Sequence, residues 1–180
     1  MLRKSNAQNI KIFIPILISA SLLNGCFGFG YPRLLNYSFD PGGRSLNSTA
    51  SELNPQISGR YIVFSSDRRG SQDIYMFDTL GRNLVELPGL NSFDAIASDP
   101  SVSTDGRYIV FAASRNGRSA VFLYDRETNQ TRNLAADVQA EIRNPTISGD
   151  GNIIAFESSV NGQWDIVVYD RRFGNRLNIP

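Results

Sequence analysis

An internal repeat constrains this chain more than any other feature. Asn54-Pro55-Gln56-Ile57-Ser58, Asp99-Pro100-Ser101-Val102-Ser103 and Asn144-Pro145-Thr146-Ile147-Ser148 recur with 45 residues between successive prolines. A glycine turn follows each (Gly59, Asp105-Gly106, Asp150-Gly151), then an apolar run containing Phe64, Phe111 or Phe156. A polar tip with Gly70, Gly117 or Gly162 comes next, and a second apolar run closes on Asp78, Asp125 or Asp170. A weaker fourth run lies near residues 84–87, 131–134 and 176–179. A fixed period of this length marks one structural unit stacked on copies of itself.

The residues of each unit say what it is. Runs of four to six β-branched and aromatic residues, broken by Gly, Asp and Asn, are short strands joined by tight turns. No stretch after residue 26 keeps a helical period. The runs are apolar on both faces, as in a sheet packed between neighbours. Asp-Gly pairs supply the positive φ of a hairpin, and each repeat proline is expected at the first position of a strand, where no ladder donor is needed. Four antiparallel strands per repeat, stacked face to face, predict an all-β chain of three β-propeller-type blades over residues 54–180.

Composition narrows the chemistry. Basic and acidic residues number 18 and 17, so no nucleic-acid partner is expected. There is no histidine and a single cysteine, Cys26, which removes the usual general base, the commonest zinc ligand and any intrachain disulfide. Neither a cofactor nor a metal site is expected, and no catalytic residue stands out. Without Arg3, Lys4 and Lys11, the remaining 15 basic residues are all arginine. Arginine suits stacking on rings and bidentate pairing, which lysine does not reproduce.

Those three charges precede an apolar run from Ile12 to Leu23, about 18 Å long as a helix and too short to span a bilayer core of about 30 Å. Residues 1–25 read as a signal peptide. Leu23-Asn24-Gly25-Cys26 resembles a bacterial lipobox, with Asn24 where a smaller residue is commoner. The resemblance implies lipidation of Cys26, a lipid-anchored tether or cap over residues 26–53, and a place in the periplasm or on the cell surface.

The repeat itself, Pro-x-Ile/Val-Ser, Asp-Gly, an apolar triplet with Phe and then Asp-Ile-Tyr, resembles the WD-like propeller repeat of the TolB family over residues 54–179. That resemblance implies a periplasmic propeller serving protein–protein contacts in a cell-envelope complex. The family's N-terminal α/β domain is not visible here, and its propeller has six blades where this chain encodes three.

Three blades make an incomplete ring. A homodimer could complete six blades, the segment before residue 54 could cap one face, or an open edge could remain. The face carrying the lead into each inner strand and the tips between second and third strands is the expected contact surface: Asn54, Asp99 and Asn144 before the prolines, and Arg68, Arg69, Arg115, Arg118, Asn161 and Trp164 at the tips. Arg and Trp are favoured anchors at interfaces; against this, Asn and Asp before proline also fix turns, and tip charges are also solvated surface.

The leading expectation is a non-enzymatic, lipid-anchored envelope scaffold that binds another protein or an envelope polymer. The alternative is a propeller glycosidase, for which Asp67, Asp73, Glu157 and Asp165 are the candidate carboxylates. A third is calcium held at the Asp105 and Asp150 turns.

Overall fold

The computed structural model describes residues 43–92 and 94–177. The expected signal peptide, Cys26 and the first part of the tether lie outside the described residues. All regular structure within them is strand.

Blade 1 comprises β1 (Glu52–Ser58), β2 (Tyr61–Ser66), β3 (Asp73–Asp78) and β4 (Asn83–Val85). Blade 2 comprises β5 (Ile96–Val102), β6 (Tyr108–Arg115), β7 (Arg118–Asp125) and β8 (Gln130–Asn133). Blade 3 comprises β9 (Ile142–Ile147), β10 (Ile153–Ser158), β11 (Asp165–Asp170) and β12 (Asn175–Leu177). Each blade is a four-stranded sheet in chain order, with antiparallel neighbours, and the three sheets do not close into a ring. The fourth strands begin about one residue before the expected positions.

The prolines are not strand starts. Pro55, Pro100 and Pro145 lie inside β1, β5 and β9, three or four residues after each strand begins. Each sits at a register shift against the neighbouring strand, between Leu53 and Gln56, between Ser98 and Ser101, and opposite the Ala155–Glu157 step. A bulge leaves one residue outside the ladder, so the missing proline N–H is not needed there. The residue before each proline takes up the bend: Asn54, Asp99 and Asn144 have φ of 51°, 49° and 52°, in the left-handed region that Asn and Asp tolerate best.

The blades stack through their faces. Val63, Ile74 and Met76 of blade 1 pack on Ile109, Phe111 and Tyr124 of blade 2. Val110, Val121 and Leu123 on the other face of blade 2 pack on Ile154, Phe156 and Tyr169 of blade 3. Full burial of one such side chain contributes about 1.5–3 kcal/mol, so these two layers dominate the stability of the array. Polar bonds stitch successive inner strands: Val102 N–H donates to Gln56 Oε1 (3.0 Å), and Ile147 N–H donates to Ser101 Oγ (3.2 Å).

The two ends of the array differ. On blade 1 the outward face is covered: Phe64, Tyr75 and Phe77 are buried, and Leu46 of the lead-in segment packs against them. On blade 3, Ile166 is 68% exposed. It occupies the place of Ile74 and Val121, which the following blade buries almost completely.

Candidate interaction face

The tip of blade 1 corrects one expectation. Arg68 is no surface contact residue, because its side chain is only 4% exposed. Its guanidinium donates to the carbonyls of Gly43 (3.0 Å), Ser45 (2.9 Å) and Leu46 (3.0 Å) and to Glu52 Oε1 (2.8 Å). The same group lies over the rings of Phe64 (5.1 Å) and Tyr75 (4.6 Å). Arg68 therefore clamps the lead-in segment onto blade 1, using the fork of donors that arginine offers. Its neighbour Arg69 stays exposed, 5.9 Å from the Tyr75 ring centroid.

The pre-proline residues have backbone and local duties. Asn54 Nδ2 donates to Asp99 Oδ1 of the next blade, and Ser98 Oγ donates to Asp99 Oδ2 (2.9 Å). Asn144 instead turns to Glu157 Oε1 (3.1 Å) within its own blade. With their positive φ, all three sit at the bulges of the inner strands.

Blade 2 presents Arg115 and Arg118 across a two-residue turn, Asn116 (φ 52°) and Gly117 (φ 74°). Arg115 pairs with Asp94 at 2.7 Å. The Arg118 guanidinium makes no hydrogen bond or ion pair with the described residues.

On blade 3, Asn161 and Gln163 donate to Asp165 at 3.4 and 3.0 Å, which shapes the tip. Trp164 is 41% exposed and carries Arg143 against its ring, 3.8 Å from the centroid. Arg143 Nε also donates to Glu157 Oε2 (2.7 Å). The Asn144 amide and the Arg143 guanidinium hold the Glu157 carboxyl below its ordinary pKa. These residues frame the open face with Ile153, Ala155, Ile166 and Val168, all on the side away from blade 2.

Arg143 and Ile166 were missed from sequence, although the signal was available. Position by position, Ile153, Ala155, Ile166 and Val168 stand where Tyr61, Val63, Ile74 and Met76 pack on the next blade. Trp164 stands at the position of Gln72, whose side chain and carbonyl both bond Ala97 at the start of the next blade (2.9 Å each).

The candidate carboxylates are dispersed. Asp67 accepts from Ser51 N–H (2.9 Å), Asp73 is buried at the start of β3, Glu157 pairs with Arg143, and Asp165 holds the blade 3 tip. Burial raises the Asp73 pKa against the opposing pull of Ser71 and Arg69. Asp105 and Asp150 close their Asp-Gly turns, each accepting from a serine hydroxyl and from the N–H two residues on, at 3.0 Å. Among the described residues, no cluster of three or more His, Cys, Asp or Glu is placed to hold a metal ion.

The sequence matches no protein-family model and no curated protein. The structure is similar to TolB from Acinetobacter baumannii, at 25% identity and a TM-score of 0.58, over 73% of this chain and 32% of that one. A putative TolB from Agrobacterium tumefaciens gives a TM-score of 0.58 at 20% identity, over 71% and 45% of the two chains. The fold is that of TolB-type propeller blades. The propeller domain of the Trilobed protease from Pyrococcus furiosus, described as having an open velcro topology, shares it at 14% identity and a TM-score of 0.54, over 72% of this chain and 42% of that one. The chain thus spans between about a third and under half of these TolB-type structures.

Proposed function

We propose that this chain is a cell-envelope scaffold, exported and lipid-anchored through Cys26, that binds a partner protein through the open face of blade 3. One observation carries the reading. Ile166 is exposed at a position where the first two blades bury an equivalent residue under the next sheet. The fitting occupant is a β-sheet of a partner protein with an apolar face, because this surface receives a sheet in both other copies of the repeat. Trp164 stands where Gln72 grips the following blade, and a half-exposed Trp braced by arginine is a favoured anchor. The likeness to TolB-type propellers supports both the scaffold role and the periplasmic address.

The test is site-specific photo-crosslinking on membranes bearing the full chain, with the crosslinker at Ile166 or, as control, at Leu80, which is exposed on blade 1. A discrete adduct from position 166, absent from position 80 and weakened by Trp164→Ala, is the expected result. An adduct of twice the chain's own mass would make the occupant a second copy and overturn the choice of a different protein. No adduct at 166, or the same adduct from both positions, sinks the proposal.

A further inference from the structure

Blade 2 holds a cleft of about 800 Å³ between its sheet and the loop that leads into it, bounded by Leu90, Ser92, Phe111, Arg118 and Phe122. Phe93 lies outside the described residues. At the corresponding place blade 1 has a cleft of about 310 Å³, lined in part by Arg68, Leu84 and Glu86, the counterparts of Arg115, Thr131 and Asn133. The repeat itself explains the difference. In blade 1, Arg68 lies across the stacked Phe64–Tyr75 pair. In blade 2 the corresponding Arg115 turns away to Asp94 (2.7 Å) and Ser92 (3.2 Å). Ala113 and Ala120 replace the bulkier Ser66 and Asp73. The Phe111–Phe122 rings stack with centroids 5.6 Å apart; Phe111 is buried against blade 1, and the less buried Phe122 is left as the aromatic wall of the cleft.

The mouth of the cleft carries a charge pattern that folding does not explain. The two-residue turn sets Arg115 directly opposite Arg118, and like charges in that relation are destabilising. Asp94 offsets Arg115, and among the described residues Arg118 has no counter-charge. An apolar, aromatic wall below an uncompensated guanidinium selects a ligand with a ring at one end and an anion at the other. The volume falls within the range of about 300–1,000 Å³ usual for small-ligand sites.

We infer that this cleft binds an amphipathic organic anion, an aromatic ring bearing a carboxylate, with the ring against Phe122 and the carboxylate on Arg118. The same chemistry is offered by a free aromatic acid and by an aromatic C-terminal residue of a polypeptide. This site faces blade 1, and it is separate from the docking face of blade 3.

Calorimetric titration of the full chain in non-ionic detergent tests it, with N-acetylphenylalanine set against its amide. The acid should bind at least about tenfold more tightly, as a lost charge-assisted pair implies. Arg118→Gln, an exposed change that spares the core, should reduce the acid to the level of the amide. Ala120→Leu, which fills the cleft, should remove binding of both. A hexapeptide ending in a free phenylalanine carboxylate separates the sources: tighter binding than the small acid assigns a polypeptide C-terminus, and weaker binding assigns a free acid. Equal affinity for acid and amide, no binding of either, or binding that survives Ala120→Leu in a folded variant overturns the inference. Crosslinking at Ile166 reads a different surface, so the two proposals fail independently.

Discussion

The ring of Tyr108 fills the space that a side chain at residue 151 would need: a Cβ on Gly151 would come within 2.6 Å of Tyr108 Cδ2. Tyr61 stands in the same relation to Gly106, where an added Cβ would overlap the ring at Cε2. Each tyrosine reaches from its own blade under the Asp-Gly turn of the next. Two guanidiniums bracket each ring, Arg60 and Arg126 at 5.0 and 5.3 Å from Tyr61, and Arg107 and Arg171 at 4.8 and 4.0 Å from Tyr108. Blade 3 has Ile153 at this position. The Asp-Gly glycines thus have two duties, a left-handed turn and room for the neighbouring blade.

Gly151→Ala should therefore destabilise the chain by about 2–4 kcal/mol, through steric overlap added to backbone strain. Gly117→Ala is the matched control: φ is again positive, but a Cβ there meets nothing within 4 Å. Its cost should be confined to strain, about 1–2 kcal/mol. Urea unfolding of the two variants measures the difference, and equal losses would remove the packing role assigned to Tyr108.

Arg68 should behave as a core residue despite its charge. Arg68→Ala removes the donors that three carbonyls now share and the cation paired with Glu52, whose carboxylate keeps only the Ser48 and Ser66 hydroxyls. Breaking such a buried pair costs about 3 kcal/mol or more. Arg69→Ala, next door and exposed, should cost under about 0.5 kcal/mol. Limited proteolysis gives a second readout, since loss of the clamp should speed cleavage between residues 43 and 52 in Arg68→Ala alone.

Acid sensitivity should have an identifiable local source. The Ser148 hydroxyl, followed by the Asn152 backbone and side chain, holds Asp150 at about 2 against an ordinary 3.8. A depressed carboxylate stabilises the fold above its unfolded pKa, and that contribution is lost as pH falls through the folded value. The window runs from about pH 4 down to about pH 2. Asp150→Asn should lower stability at pH 6 yet flatten the fall across that window, as followed by thermal melts. An unchanged slope would show that the turn is not a source of acid sensitivity.

The blades were legible in the sequence because repeat spacing, β-rich runs and Asp-Gly turns all point to the same units. The absence of lysine after residue 11 also foreshadowed stacking, which Arg60, Arg107, Arg126 and Arg171 carry out. The proline positions misled because a residue without an N–H fits a bulge as well as a strand start, and only pairing register separates the two. Arg68 and Arg115 occupy corresponding tip positions, yet one is buried and one exposed, because Asp94 draws Arg115 aside and blade 1 offers carbonyls instead. Such a difference depends on a lead-in segment whose path the repeat does not encode. The open face lay hidden for another reason: Ile166 and Val168 look like core in any single copy, and become surface only when no described sheet follows.

Among the described residues, the array is covered at blade 1 and open at blade 3. Hydrogen–deuterium exchange on the full chain in detergent tests this most directly, because sheets with an unpacked face open locally at lower free energy. The predicted result is faster amide exchange in β10 and β11 than in their counterparts β2 and β3 or β6 and β7. Equal or greater protection in β10 and β11 would mean that the face around Ile166 is already covered, and would contradict the account.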